Sequence, residues 1–264
     1  MSITEAIIIA IVEGLTEFLP VSSTAHMKFT NPIVGVENNA FTEMFEVVIQ
    51  LAAILAVVVL YFRKFINLKK FSFYIKLFIA VIPSLVFGYL LKGYIDSALG
   101  NLVFIACVMI GGGVLLLFID KLFNRPLIHN EEQIGNITAL KIGVFQVLSI
   151  VLPGLSRSAA TIIGGMSQRL SREAAAEFSF FLAVPTMFAA SAKSGYDAWK
   201  LDNTVFSGSH LTVLLIGSAV AFIVSLLAMK MFVGFVKKYG FKPFGIYRII
   251  AGVVMLLLIW RGVI

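Results

Sequence analysis

Apolar residues in this chain fall in runs of about the length a bilayer demands, separated by short polar stretches. A hydrocarbon core about 30 Å thick takes roughly 20 apolar residues as a helix. Six runs qualify, at approximately 42–62, 73–92, 101–119, 174–194, 211–231 and 246–263. Two others do not fit cleanly. Residues 3–19 carry Glu13 and Glu17 within the run and stop at Pro20, and residues 137–152 are short and stop at Pro153. Each is followed by a Ser/Thr-rich stretch and then more apolar residues, which predicts a half-helix, a break and a return. Such backbone is tolerated at membrane depth only where protein buries it or a wet cavity receives it.

The two short runs match each other. At an offset of 133, Ala6 meets Ala139, Glu13 meets Gln146, Pro20 meets Pro153 and Ser23 meets Ser156. Further on, FEVVIQLAA faces FSFFLAVPT. The offset is about half the chain, so the pattern reads as an internal duplication. The expected fold is all-α and integral to the membrane, with two repeats, 1–125 and 126–264, forming one membrane domain. Each holds a re-entrant broken-helix unit (3–30 and 137–165) and three transmembrane helices. An odd number of crossings per repeat inverts one against the other, and broken helices in corresponding places point to a site at their interface.

Composition agrees: 59% of residues are hydrophobic and 13% charged, against about a quarter charged in soluble domains. The net charge of +7 would suggest nucleic acid in a soluble protein. Here topology explains it, and no nucleic-acid partner is expected. Loops 63–72 (Arg63, Lys64, Lys69, Lys70), 120–135 (Lys121, Arg125), 164–173 (Arg169, Arg172) and 232–245 (Lys237, Lys238, Lys242) are the basic ones. All fall on one side of the six-span arrangement, which is therefore cytoplasmic. The first re-entrant unit enters from outside, the second from the cytoplasm, and both chain ends lie outside. The first run does not read as a signal peptide, since it lacks a basic start and carries Glu5, Glu13 and Glu17. The single cysteine, Cys107, excludes an intrachain disulfide framework.

Chemistry gathers at the breaks. In EGLTEFLPVSSTAH, residues 13–26, Glu13 and Glu17 share one helix face. Carboxylates inside a membrane are costly, and a hard divalent cation, Mg²⁺ or Ca²⁺, is the simple partner. Ser22, Ser23 and Thr24 can cap the returning half-helix, and His26 is a candidate general acid or base. In PGLSRSAAT, residues 153–161, Pro153 ends one helix. Ser156, Ser158 and Thr161 surround Arg157, whose planar cation suits phosphate oxygens beside a helix N-terminus. The offset puts Ile150 opposite Glu17 and Arg157 opposite Thr24. If the tips meet, they make one site with a metal side and an anion side, which suits a diphosphate. Glu46 is a candidate to line it. Glu43 and Glu177 read as interfacial, the glycines at 111–113 as packing surface, and His129 and His210 as solvated loop residues.

These two motifs resemble the signature segments of the undecaprenyl-diphosphate phosphatase family, also called the bacitracin-resistance family. FEVVIQLAAILAVVV, EFSFFLAVP and PFGIYR are similar to its flanking segments, so the likeness runs nearly end to end. The resemblance implies a multi-pass enzyme of the bacterial inner membrane that hydrolyses undecaprenyl diphosphate to undecaprenyl phosphate and inorganic phosphate. Such an enzyme recycles the lipid carrier of cell-wall synthesis, depends on a divalent cation and confers bacitracin resistance. The family's motif acids fall on Glu13 and Glu17, its serine on Ser23, its histidine on His26, and its SRSxxT run on Ser156, Arg157, Ser158 and Thr161. Ala25 stands where members often carry glycine, and Leu155 is a second departure within PGxSRS. The KxxxxxxRP and PSGH signatures of the other lipid-phosphatase superfamily are absent.

The mechanism expected from these positions assigns metal to Glu13 and Glu17. The terminal phosphate goes to Arg157 and the break after Pro153, with Ser22, Ser156, Ser158 and Thr161 as further phosphate contacts. Ser23 attacks, or positions the attacking water, with His26 as its proton partner. The partners expected are the polyprenyl diphosphate and membrane lipids, with a homodimer left open and the site opening to the extracytoplasmic side. Inverted repeats with broken helices also fit a lipid flippase or secondary transporter.

Overall fold

Ser2 opens the first helix with a reciprocal cap: its hydroxyl accepts from the Glu5 N–H while the Glu5 carboxylate accepts from the Ser2 N–H. In the computed structural model, which describes residues 1–37, 39–66, 71–201 and 208–264, this helix, α1, spans Ile3–Thr16 and α2 returns over Ser23–Ile33. Helix α3 (Ala40–Leu60) is followed by the short α4 (Phe62–Phe65), then α5 (Phe71–Leu90), the short α6 (Lys92–Leu99) and α7 (Leu102–Leu122). After a 3₁₀ turn at Glu131–Gln133 come α8 (Asn136–Val151), α9 (Arg157–Ser167), α10 (Arg172–Leu201), α11 (Gly208–Tyr239) and α12 (Lys242–Trp260).

The six expected spans are present: α3, α5, α7, α10, α11 and α12 each contain a stretch long and apolar enough to cross a membrane. The chain is a multi-pass membrane protein. At 1.5 Å per residue, α1 and α8 reach only about 21 and 24 Å, short of a crossing, and both turn back after a proline as expected. Helix α11 outruns its expected span because no breaker interrupts it before Gly240, whose φ of +70° suits the glycine that ends a helix. Lys69 and Lys70, counted among the basic loop residues, lie outside the described residues.

Each re-entrant unit leans on the other half of the chain: α1 packs along α11 and α8 along α5. Lipid tails are as apolar as leucine, so close approach rather than hydrophobicity holds such helices. Gly14 accordingly lies against Ala221 and Val224 of α11, and Gly143 against the Ala80 backbone of α5, with no room for a side chain in either place. Helices α7 and α12 pair at one side, and α3 packs on α10 and α11. These contacts are compatible with the duplication.

The link between the halves is tied to the helix ends it passes. Ile128 bridges Leu170, and Lys76 donates to the Glu131 and Glu132 carbonyls, both at 3.1 Å. Lys64 lies 2.9 Å from the Glu131 carboxylate and 3.5 Å from that of Glu177, so Glu177 is ion-paired rather than merely solvated. His210 belongs to the first turn of α11, not to a loop, and stacks on Phe41 with centroids 4.2 Å apart.

Candidate active site

Both breaks are built alike. After Pro20 and after Pro153 the chain reaches a serine in a left-handed conformation, Ser22 at φ 74° and Ser156 at φ 76°. Each then caps the next half-helix, the Ser22 hydroxyl accepting from the Ala25 N–H and that of Ser156 from the Ala159 N–H. A non-glycine residue rarely adopts this conformation, and the cap bond helps offset its cost. The caps also correct the register. One residue, Val21, separates Pro20 from its cap, and two, Gly154 and Leu155, separate Pro153 from Ser156. Structurally Ser22 therefore matches Ser156, and Ser23, not Thr24, matches Arg157. The second copy carries one extra residue in its break, which a constant offset cannot reveal.

The two tips meet. Glu17 is almost fully buried at 6% exposure, and its carboxylate joins both motifs. Oε1 accepts from Nη2 of Arg157 at 2.9 Å, while Oε2 accepts from the Ser23 hydroxyl at 2.6 Å. Gln50 of α3 reaches Oε2 at 3.4 Å. Arg157 places Nη1 on the Ser179 carbonyl at 3.0 Å, and its Nε is buried without a partner. A cavity of about 340 Å³ opens over this group. Its polar wall carries Glu17, Ser22, Ser23, Gln50, Ser156 and Arg157, and its apolar wall Ile95 and Leu99 of α6, Ile150 and Met187. Because α6 follows the second span, the cavity lies toward the end of the bundle away from the basic loops.

Three expected contacts are not formed. Ser158 and Thr161 are buried and do not line the cavity. The Ser158 hydroxyl donates to the Phe18 carbonyl at 2.9 Å, another bond between the tips, and that of Thr161 lies 2.7 Å from Ser179 Oγ. With their protons committed to protein acceptors, these hydroxyls brace the break. His26 points elsewhere than Ser23. Its Nδ1 sits 2.7 Å from the Ser22 carbonyl, which can only accept, so Nδ1 carries a proton. In the neutral ring Nε2 then accepts from the Tyr247 hydroxyl, also at 2.7 Å, and the two rings stack. Glu17 holds the position expected of His26 at Ser23.

Glu13 is completely buried, and neither carboxylate oxygen has a hydrogen-bond partner. Paired with Glu17 one turn on, this is the donor set a hard divalent cation fits. Among the described residues no group of three or more His, Cys, Asp or Glu side chains gathers to complete a protein-only cage. Mg²⁺ tolerates that, being commonly held by one or two carboxylates with substrate oxygens and water completing its shell. Glu46 does not line the cavity; it accepts from Asn31 at 2.6 Å and lies 4.0 Å from Lys28.

Sequence reasoning missed Tyr247 and Arg248 on α12. Arg248 lies inside an apolar span, and a charge at membrane depth is itself a functional signal. Tyr247 and Ser179 carried only the likeness of PFGIYR and EFSFFLAVP to the family's flanking segments.

The family described as bacitracin resistance protein BacA matches residues 6–254. A Flavobacterium johnsoniae protein named undecaprenyl-diphosphatase is 51% identical over 98% of this chain and 96% of its own length. A Porphyromonas gingivalis protein of the same name is 47% identical over 100% and 99%. One from Bdellovibrio bacteriovorus is 43% identical over 99% and 98%. With a match of this extent, and with both motifs converging on Glu17, the chain belongs to the bacitracin resistance protein BacA family.

Proposed function

We propose that this protein is an undecaprenyl-diphosphatase of the bacterial inner membrane, releasing inorganic phosphate and leaving undecaprenyl phosphate. The observation that carries the reading is Glu17, held between the Ser23 hydroxyl and the Arg157 guanidinium where the two breaks meet. A hydroxyl bonded to a carboxylate is an activated nucleophile, and a buried guanidinium with a free N–H is a phosphate contact.

The steps follow from those atoms. The terminal phosphate enters the cavity and lies against Arg157, which lines it. Glu17 accepts the Ser23 proton as Oγ attacks the terminal phosphorus, and it passes that proton to the departing undecaprenyl phosphate oxygen as the bridging P–O bond breaks. Water then hydrolyses the phosphoserine, with Glu17 taking the water proton and returning it to Oγ of Ser23 as the Ser–phosphorus bond breaks. Arg157 offsets charge on the transferring oxygens, where most phosphoryl-transfer catalysis resides. Glu13 and Glu17 would hold Mg²⁺ or Ca²⁺, which when bound supplies further neutralisation of the diphosphate. At about 340 Å³ the cavity is at the small end of ligand pockets, so the polyprenyl tail runs out along Ile95, Leu99 and Met187 into lipid. Every residue the mechanism uses comes from one chain. In this reading the two repeats, 1–125 and 126–264, contribute one break each, and the site opens toward the extracytoplasmic face.

The test is phosphate release from undecaprenyl diphosphate by purified protein, with and without EDTA. Release that EDTA abolishes and Mg²⁺ or Ca²⁺ restores supports the whole reading. Absence of release under both conditions overturns it.

A further inference from the structure

Arg248 is fully buried on α12, and among the described residues no carboxylate pairs with it. An uncompensated guanidinium in that setting is expensive. Its compensation comes entirely from carbonyl oxygens. Nε donates to Met109 at 3.1 Å, Nη2 to Gly154 at 2.9 Å, and Nη1 both to Pro20 at 3.0 Å and to Leu155 at 2.8 Å. Pro20 belongs to the first break; Gly154 and Leu155 belong to the second. A single nitrogen thus bridges the tips of both re-entrant units.

Each half-helix ends with carbonyls that have no helical donor, and buried carbonyls left unpaired are costly. At these breaks one side chain from the far end of the chain supplies donors to Pro20, Gly154 and Leu155. The planar fork of arginine meets several acceptors at once, whereas a lysine ammonium is a single point. The space for it is provided deliberately: a methyl group on Gly112 would run into Nη2 of Arg248 and into Leu155. The triple glycine at 111–113 is in this respect a seat for the guanidinium, not only a helix-packing surface. The neighbouring Gly111 has nothing within 4 Å of an added Cβ.

We infer that Arg248 is a positioning residue that clasps the two breaks together, so that Glu17 and Ser23 from one face Arg157 from the other. The inference rests on the proposal that both breaks form a single active site. It commits Arg248 to no contact with the substrate. Displacing reacting groups by about 1 Å costs on the order of 100-fold in rate, and loosening the clasp shifts one tip against the other by such amounts.

The experiment uses Arg248→Lys, Gly112→Ala and the control Gly111→Ala in the full chain, read in two ways. Undecaprenyl diphosphate turnover per folded protein is expected to fall about 100-fold in kcat for the first two, with KM within a few-fold, and to stay at the wild-type level for Gly111→Ala. Amide hydrogen exchange is expected to rise together at Val21 and Ala25 in one break and at Leu155 and Ala159 in the other, with the spans unchanged. This second readout needs no catalysis, so it stands even if phosphate release fails for wild type. Gly112→Ala carries the test should Arg248→Lys not fold. Exchange rising in one break only, or evenly along the whole chain, overturns the clasp. So does wild-type kcat in both variants.

Discussion

The hydroxyl of Ser23 donates to Oε2 of Glu17 across 2.6 Å, although six residues and the Pro20 break separate the two along the chain. The contact exists because the Ser22 cap turns the returning half-helix so that its first residue faces back to the end of α1. The same carboxylate holds Arg157 on its other oxygen. Acid, hydroxyl and cation therefore form one unit, and changes to them separate by what each removes.

Ser23→Ala removes the attacking oxygen and leaves the Glu17–Arg157 pair in place. Turnover is expected to fall by about 10³-fold or more, with no recovery at high Mg²⁺ or Ca²⁺. Ser23→Thr retains a trace. Retention of a tenth of wild-type kcat in Ser23→Ala would exclude covalent catalysis there and assign the attack to water.

Arg157→Lys keeps the charge but loses the fork that reaches Glu17 and the Ser179 carbonyl together. We expect kcat/KM to drop about 100-fold or more, since a bidentate charged contact is lost in a site shielded from water. The protein should remain inserted, as checked by its elution and thermal unfolding. Wild-type kcat/KM in this variant would remove Arg157 from the phosphate site.

Glu13→Gln separates metal binding from proton transfer. Neither of its carboxylate oxygens has a hydrogen-bond partner, so both are free to ligate a cation shared with Glu17. The half-saturating Mg²⁺ or Ca²⁺ concentration is expected to rise at least about tenfold, equivalent to roughly 1.4 kcal/mol of lost attraction, with activity partly restored by excess metal. In EDTA the variant should unfold at the same temperature as wild type or higher, because a buried unpaired carboxylate is a burden. An unchanged metal dependence would show that Glu13 is not a ligand.

Much of this was legible in the sequence for physical reasons. A span needs some twenty apolar residues, so six of them announce themselves. Pro20 and Pro153 mark the breaks because proline cannot continue a helix. The convergence of Glu17, Ser23 and Arg157 followed from matching the two halves. The register of that match did not: one inserted residue in the second break is invisible to a fixed offset and appears only in the two capping bonds. The partner of Ser23 was equally hidden. His26 lies three residues on and Glu17 six residues back, and which one faces the hydroxyl depends on the turn at Ser22. Ser158 and Thr161 looked like phosphate contacts because hydroxyls beside an arginine suggest them. Their partners in the structure, the Phe18 carbonyl and Ser179, come from distant segments.

The geometry of His26 gives the last prediction, and it discriminates between two proton routes. Were His26 the base for Ser23, His26→Gln would lose about 10²–10⁴-fold, the range for a positioned general base, and Tyr247→Phe would matter little. In the structure both ring nitrogens are occupied, by the Ser22 carbonyl and the Tyr247 hydroxyl. The histidine then ties α2 to α12 and steadies the cap residue beside the nucleophile. His26→Gln should therefore cost less than about tenfold in kcat, a loss of the size expected from one hydrogen bond, and Tyr247→Phe should cost a similar amount. The double variant should be no worse than the poorer single one, because both remove the same contact. Glu17→Gln, which removes the base and the ion pair together, should show the far deeper loss. A His26→Gln defect matching that of Ser23→Ala, with Tyr247→Phe near wild type, would return the proton to the histidine.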